Sequence, residues 1–288
     1  MENIRPLRDS DREDILEIAK HTWEGHDYVP YFFDAWIKDK DSYTAAIERN
    51  GHVVALANLR VIENGRTGWM EGLRVHPDYR GQGLASILTQ HVVKLAREIS
   101  VERIRYTTAV DNEKSIHLGE SVGMKRIFDL AVHWQDRMDE VSLSAPVSSI
   151  KEATIEELLP ALVEANLLPH NVIIYDWKAL DVSHDALEKI STLAKFWVQS
   201  SNEMIESFSL GFVREDPTGQ QWSFTIYARD DSTFLDQLTY HLKITSDVGC
   251  TTIFMTYQMD FIETFYSLDW VRPIEDEDMA LTLLEKVL

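Results

Sequence analysis

The chain has 288 residues, 44% hydrophobic and 26% charged, with 48 acidic and 28 basic side chains and a formal net charge of −20. This composition excludes a disordered or fibrous chain and predicts a soluble globular protein of one large or two small domains. So large a negative charge repels phosphate backbones and anionic lipid, so we expect neither nucleic acid nor a membrane as a partner. The single cysteine, Cys250, and a charged N-terminal segment without a signal-peptide core predict a cytoplasmic location.

The first half is predicted to alternate strands and helices. In chain order we expect a strand at 4–7, a helix at 15–21, a loop and short helix within 23–36, strands at 43–48, 53–61 and 68–75, a helix at 83–98, a strand at 103–109, a helix at 115–122 and a strand at 127–135. Asn50-Gly51 and Asn64-Gly65 are hairpin signals, so the front of the sheet should be mainly antiparallel. The fold class is therefore α/β (α+β), with a mixed, mainly antiparallel sheet flanked by helices.

The second half is predicted to repeat this plan as a degenerate tandem copy. We expect a helix at 152–162, strands at 195–199, 206–214 and 221–229, a helix at 233–245, a strand at 251–258 and a helix at 261–268. The uncharged, serine-rich stretch at 141–149 predicts a linker between domains at 1–140 and 150–288. The alternative is that two unrelated α/β domains look alike at this coarse level.

The charge is uneven: residues 1–140 have a net charge of −5 (19 basic, 24 acidic) and residues 141–288 one of −15 (9 basic, 24 acidic). An anionic cofactor is therefore expected on the first half, unless the difference is only drift in surface composition.

One segment of the sequence predicts a binding site. A strand ends at Val75, and a helix begins after a turn that contains Gly81 and Gly83. Glycines let backbone N–H groups approach an anion, and the helix N-terminus adds the positive end of its dipole. The run thus predicts a pyrophosphate cradle, although the Gly-Lys-Ser/Thr of the Walker motif is absent. In the second half, only Asp230-Asp231-Ser232 stand between the predicted strand at 221–229 and the predicted helix that begins at Thr233, and these two acidic residues argue against a second cradle.

The sequence Arg80-Gly81-Gln82-Gly83-Leu84-Ala85, led by Val75 and Pro77, resembles the acetyl-CoA motif of the GNAT acetyltransferase superfamily. The resemblance implies acetyl-CoA as co-substrate, bound by Leu73, Arg74, Val75, Arg80, Gly81, Gln82, Gly83, Leu84, Ala85, Asn112 and Ser115. It also implies that the superfamily's usual tyrosine acid is absent, because Gly119 stands in its place. Tyr28 and Tyr106 are replacement candidates, unless they are only packing residues.

A closer resemblance is to the histidine N-acetyltransferase group. It rests on Gly25-His26-Asp27-Tyr28-Val29-Pro30, Trp36, Glu71-Gly72-Leu73-Arg74-Val75 and Asp176-Trp177. It implies a small primary amine as acceptor, such as the free amino acid histidine, with Asp27, Tyr28, Asp176 and Trp177 at the acceptor site. Asp27 could equally be a helix cap, and Trp177 a core residue.

The predicted catalytic residues are Glu71 and Val75. An amine nucleophile must lose a proton, and side chains alternate along a strand, so Glu71, Leu73 and Val75 should share one side. We therefore predict Glu71 as general base, acting through a water, unless it only forms a salt bridge. The resemblance implies the Val75 backbone N–H as the oxyanion donor.

Two other functions stay open, a protein or peptide N-acetyltransferase and a non-catalytic acyl-CoA sensor. The histidines show no metal-ligand spacing such as HExxH, so no metal is expected, and the oligomeric state is not predicted.

Overall fold

A computed structural model of the chain describes residues 2–22, 25, 27–138, 141, 149–202, 204–216, 219–271 and 280–288. Most of the predicted linker, at 142–148, and His26 lie outside the described residues, so the predicted domain boundaries stay a prediction. Two units are distinguished by their internal contacts. The first comprises Met1–Tyr106, Asn112–Ile127 and Leu284–Leu288, and the second comprises Thr107–Asp111 and Phe128–Leu283.

The first unit contains the strands and helices that the hydrophobic pattern predicts. They are β1 (Asn3–Arg5), α1 (Arg12–Ala19), α2 (Val29–Lys38), β2 (Ser42–Arg49), β3 (His52–Ile62), β4 (Thr67–Val75), α3 (Leu84–Glu98), the start of β5 (Arg103–Ala109), α4 (Glu113–Ser121) and the start of β6 (Lys125–Gln135). Its strands pair in the order β1-β2-β3-β4-β5, antiparallel except for the parallel pair β4-β5.

Both faces of this sheet are covered. Leu88 and Val92 of α3 pack in one apolar cluster with Ala55 and Leu59 of β3. On the other face Trp36 packs in a cluster with residues of α1 and of the sheet. Strand β4 therefore passes between α3 on one side and the α1–α2 layer on the other.

The chain's last residues complete this first unit, which the sequence analysis did not predict. Leu284–Leu288 include the end of β14 (Ala280–Val287), where the Glu285 carboxylate forms a salt bridge with Arg105 and the Leu288 N–H donates to the Glu102 carbonyl. A short apolar run such as this fits a buried strand or a helix equally, so its pattern alone does not decide between them.

The second unit repeats the order of the first. Its elements are the rest of β6, β7 (Ile150–Glu152), α5 (Ile155–Ala165), β8 (Val172–Tyr175), β9 (Lys178–Asp181), α6 (His184–Ser191), β10 (Lys195–Ser201), β11 (Met204–Asp216), β12 (Gly219–Ala228), α7 (Asp231–Asp247), β13 (Ile253–Gln258), α8 (Ile262–Tyr266) and the start of β14. Strands β10, β11 and β12 pair antiparallel, α7 follows, and β13 returns parallel to β12. This matches β2, β3, β4, α3 and β5 of the first unit.

The predicted fold class, with two copies of one α/β plan, is thereby confirmed. The hairpin β8–β9 and helix α6 were not predicted. Among the described residues, no helix combines the length and apolar character needed to cross a membrane.

Candidate active site

The predicted cradle lies at the N-terminus of α3. Gly81 and Gly83 have φ of +74° and +77°, and a Cβ on either would meet no other atom within 4 Å. Gly83 is the N-cap of α3, and no side chain caps this helix. The N–H groups of the first turn of a helix lack partners within it, so this open, uncapped turn is suited to an anion.

Two arginines border the cradle. The Arg80 Nε donates to the carbonyl oxygen of Val75 at 3.1 Å, which joins the turn to the end of β4. The Arg49 Nη1 donates to Gln82 Oε1 at 2.5 Å, and its guanidinium lies over the Tyr79 ring, 5.6 Å from the centroid. Arg49 was not predicted, because it reaches the cradle from β2, 33 residues earlier in the sequence.

A β-bulge interrupts β4 just before the cradle. Glu71 lies opposite Asn58 and Arg74 opposite Leu56, so two residues of β4 face one residue of β3. Gly72 in the bulge has a φ of +66°, and a Cβ there would overlap the indole of Trp36.

The bulge changes which side chains share a face, so the prediction that Glu71, Leu73 and Val75 point to one side is wrong. Glu71 and Arg74 face the same way as Asn58 and Leu56, toward the α1–α2 layer, whereas Leu73 and Val75 pack in the cluster that contains α3.

The parallel pairing of β4 with β5 is short. It joins Thr67, Gly68 and Trp69 to Arg103, Ile104 and Arg105, and the register extends no further along these fully described strands. From Met70 onward, β4 therefore has an edge that β5 does not pair.

The backbone N–H of Val75 points to this edge. The His76 N–H donates to the Val54 carbonyl, and hydrogen-bonded and non-hydrogen-bonded pairs alternate in an antiparallel ladder. The preceding pair, Val75 with Ala55, is therefore a non-hydrogen-bonded one, with its N–H directed away from β3.

The Glu71 carboxylate is held on the α1–α2 side of the sheet. Its Oε1 accepts a hydrogen bond of 2.9 Å from Asn58 Nδ2 and lies 3.4 Å from Arg60 Nε, and the side chain is 12% exposed. Asn58 is fully buried, and its Oδ1 accepts from Ser42 Oγ at 3.0 Å. Asn58 and Arg60 were not predicted. An asparagine within the apolar segment that forms β3 could have indicated Asn58, because a buried polar side chain needs hydrogen-bond partners.

A buried ion pair lies beside this carboxylate. The Arg74 Nε and Nη2 donate to the two oxygens of Asp27 at 2.8 and 2.9 Å. Asp27 is 2% exposed and also accepts from the Val29 N–H at the start of α2, as a capping residue would. Burial lowers the pKa of the Arg74 guanidinium, but the hydrogen bonds to Asp27, the charge of Asp27 and the neighbouring Tyr28 hydroxyl together raise that pKa above its usual value.

Tyr28 links α2 to the bulge. Its hydroxyl accepts the N–H of Gly72 at 3.0 Å, and its ring contacts Trp36 edge-on with 6.5 Å between centroids. Burial raises the pKa of this hydroxyl, so Tyr28 is a neutral phenol. The predicted acceptor residues Asp27 and Tyr28 thus lie on the same side of the sheet as Glu71; their contact with an acceptor stays a prediction.

Tyr106 of β5 leaves no room for a side chain at Gly119 of α4. The Tyr106 hydroxyl donates to the Ser115 carbonyl at 2.7 Å, and a Cβ on Gly119 would overlap that hydroxyl. Burial raises the pKa of Tyr106. The predicted cofactor residues Asn112 and Ser115 are the N-cap of α4 and its partner, with the Ser115 N–H donating to Asn112 Oδ1 at 3.2 Å.

Asp176 and Trp177, also predicted at the acceptor site, form the turn between β8 and β9 in the second unit. Asp176 Oδ1 accepts from Arg214 Nη1 at 2.9 Å, yet burial raises the pKa of Asp176. The Trp177 ring contacts Phe254 at 6.3 Å between centroids, and its carbonyl accepts from the Thr107 hydroxyl. These contacts are all internal to the second unit, and the predicted role at an acceptor site stays a prediction.

Two family models match the sequence. Residues 11–124 match the acetyltransferase (GNAT) family, and residues 142–258 match the histidine N-acetyltransferase C-terminal domain. The chain is 30% identical over 195 residues to the histidine N-acetyltransferase of Xenopus tropicalis, covering 62% of this chain and 60% of that protein. It is 24% identical over 260 residues to the enzyme of the same name from Oreochromis niloticus, covering 82% and 77%. The chain therefore spans about three fifths of the length of the first of these relatives.

Solved structures share the fold over the whole chain. A GCN5-related N-acetyltransferase from Sphaerobacter thermophilus superposes with a TM-score of 0.61 at 13% identity, covering 99% of this chain and 95% of that one. A tandem GNAT protein from the clavulanic acid biosynthesis pathway superposes with a TM-score of 0.59 at 13% identity, covering 100% and 98%. Identities this low show the fold alone. The two family models therefore identify a GNAT acetyltransferase domain at residues 11–124 and, at residues 142–258, a domain similar to the C-terminal domain of histidine N-acetyltransferases.

Proposed function

We propose that this protein transfers the acetyl group of acetyl-CoA to the primary amine of a small molecule, a free amino acid such as histidine, with Glu71 as general base. The observation that carries the proposal is the Glu71 carboxylate, held beside the bulge of the strand that leads into an uncapped helix N-terminus. The names of the two curated relatives support an amino acid as acceptor.

The residues present fit acetyl-CoA. The cradle N–H groups of residues 81–85, with Arg80 and Arg49 beside them, would hold the pyrophosphate, and no Cβ of Gly81 or Gly83 stands in the way. The unpaired edge of β4 beyond Trp69 would hold the pantetheine arm through backbone hydrogen bonds. When bound, acetyl-CoA supplies the thioester whose acetyl group is transferred.

The protein's own groups then have distinct tasks. Glu71 takes a proton from the acceptor ammonium, directly or through a water, because an amine attacks only when deprotonated. Asn58 orients the carboxylate through its 2.9 Å hydrogen bond, and Arg60 keeps a positive charge beside it. The Val75 N–H donates to the oxygen that gains negative charge. The leaving thiolate needs little acid assistance, since a thiol ionises with a pKa of about 8.5.

The proposal is tested by free-thiol release from acetyl-CoA with each amino acid and with polyamines. The variant Glu71→Gln keeps an oxygen that can accept from Asn58 and loses the basic carboxylate. We expect its kcat to fall by about 10²- to 10⁴-fold. Glu206→Gln is a matched control, because Glu206 is also a strand glutamate in a salt bridge, 3.2 Å from Arg229 in the second unit.

Each other outcome removes a part of the proposal. Unchanged turnover in Glu71→Gln would exclude Glu71 as the base while keeping the acyltransferase. No turnover with any small amine, in a protein that binds acetyl-CoA, would favour a protein acceptor or the acyl-CoA sensor.

A further inference from the structure

Three metal-ligating side chains meet on the first unit at a place that the acetyl-transfer chemistry does not use. They are Glu17 near the end of α1, His21 just after it and His76, which follows the last residue of β4. Each offers one ligand atom, and these atoms lie within 4.8 Å of one another.

Their geometry is close to what a tetrahedral ion needs. His21 Nε2 lies 3.5 Å from Glu17 Oε1, and with metal–ligand bonds of about 2.0–2.2 Å, neighbouring ligand atoms of a tetrahedral zinc ion are about 3.4 Å apart. The rings of His21 and His76 meet edge-on, with 5.7 Å between centroids. Small side-chain rotations would therefore bring all three ligands onto one ion.

The surroundings of His76 hold its ring in place. Its Nδ1 accepts the Asp78 backbone N–H at 3.3 Å, and the ring contacts Tyr79 edge-on at 5.8 Å between centroids. Zinc binding through Nε2 requires the tautomer with its proton on Nδ1, which would then donate toward the Asp78 carboxylate, now 4.0 Å away, in place of accepting the Asp78 N–H. His76 is the least exposed of the three, with a side chain 19% exposed against 45% for His21 and 49% for Glu17.

We propose that Glu17, His21 and His76 form a binding site for Zn²⁺ that links the end of α1 to the connection between β4 and the cradle. Two imidazoles and a carboxylate are a donor set that zinc takes in proteins, leaving a fourth position for water. A second group, His184, Asp185 and Glu188, is a weaker candidate because it has one imidazole and lies on the exposed side of a single helix.

Titration calorimetry of the whole chain with zinc chloride tests the site without reference to the proposed acetyl transfer. We expect the double variant His21→Ala/His76→Ala to bind one equivalent of Zn²⁺ less than the native protein. His184→Ala is the matched control and should keep the native stoichiometry. Glu17→Gln, an exposed substitution that spares the fold, should weaken the same binding event.

Thermal unfolding gives an independent readout, because an ion that binds only the folded state raises its midpoint. Zn²⁺ should raise the midpoint of the native protein and of His184→Ala more than that of the double variant. Equal stoichiometry in the native protein and the double variant, or a loss in His184→Ala instead, would overturn the proposal.

Discussion

In the first unit glycines lie in the connection between β4 and α3, whereas in the second unit an acidic residue precedes α7 after β12. The N-cap of α3 is Gly83, and no side chain occupies its first N–H groups. The N-cap of α7 is Asp230, whose carboxylate accepts the Thr233 N–H at 2.8 Å. The same position is thus open to an external anion in one unit and filled by an internal one in the other.

The parallel strand pairs beside these helices also differ, with a shorter pairing in the first unit than in the second. The pairing of β4 with β5 ends after three residue pairs, whereas β12 and β13 pair over five, from Trp222–Ile253 to Ile226–Tyr257. The Ala228 N–H also donates to the Gln258 side chain at 2.7 Å. The same arrangement of two parallel strands and a helix therefore leaves a candidate binding site open in the first unit. In the second unit the protein's own hydrogen bonds close the corresponding place.

The largest effect, on the affinity for acetyl-CoA, is expected when the N-cap of α3 is replaced by an aspartate, the residue that caps α7. Gly83→Asp places a carboxylate over the N–H groups of the cradle and a side chain at a φ of +77°. Because the carboxylate competes with a pyrophosphate and repels it, we expect the Kd for acetyl-CoA to rise about tenfold or more, which is at least about 1.4 kcal/mol. Calorimetric titration with acetyl-CoA measures it.

Gly51→Asp is the control for backbone strain. Gly51 has a φ of +83°, with no atom within 4 Å of a Cβ, but it lies in the turn between β2 and β3. An equal loss of acetyl-CoA affinity in both variants would attribute the effect to strain and would contradict the cradle.

A smaller effect is expected where β12 and β13 are joined by side chains. The hydroxyls of Thr225 and Thr256 are buried and share a 2.7 Å hydrogen bond. Thr256→Val leaves the Thr225 hydroxyl unpaired, so the free energy of unfolding should fall by about 1–3 kcal/mol.

The double variant Thr225→Val/Thr256→Val removes both hydroxyls and should recover most of that loss, as urea denaturation would measure. If the loss in the free energy of unfolding of the double variant is instead the sum of the losses of the two single variants, the hydroxyl pair does not join the strands.

The smallest effect is expected at the cap of α7. Asp230→Ala removes the capping hydrogen bond and should lower the free energy of unfolding by about 1 kcal/mol at neutral pH, with the Kd for acetyl-CoA unchanged. A weaker affinity for acetyl-CoA in this variant would place a ligand in the second unit after all.

The contribution of Asp230 should also depend on pH. Hydrogen bonds from the Thr233 backbone and side chain lower the pKa of Asp230 from its usual 3.8. A carboxyl with a depressed pKa stabilises the folded state above its unfolded pKa, and the contribution is lost as the pH falls through the folded value. The difference in the free energy of unfolding between the native protein and Asp230→Ala should therefore become smaller below about pH 4.

Most elements of the first unit could be predicted, because their signals are local. Alternating apolar residues and the Asn50-Gly51 turn mark the hairpin, and helical spacing marks α3. The bulge could not be predicted, because Gly72 adopts its positive φ where the indole of Trp36, 36 residues earlier, packs on it. Its consequence was an error in the predicted face of Glu71.

The neighbours of the candidate base were also out of reach. Asn58 and Arg60 come to Glu71 through the register of β3 with β4, which is unbroken from Ile62–Thr67 to Asn58–Glu71 but which the sequence pattern left unassigned. In the same way His76 meets His21 only because β4 ends beside α1, so spacing along the chain shows no metal motif.

The sequence by itself determined the fold class, the resemblance to acetyltransferases and the position of the candidate cradle, because glycines, turn residues and hydrophobic period act over a few neighbouring positions. Only the tertiary structure decided what surrounds Glu71, why residue 119 is a glycine beneath the Tyr106 hydroxyl, and that the chain's last strand completes the first unit. These features depend on packing and strand register between residues far apart in the chain, which no local pattern encodes.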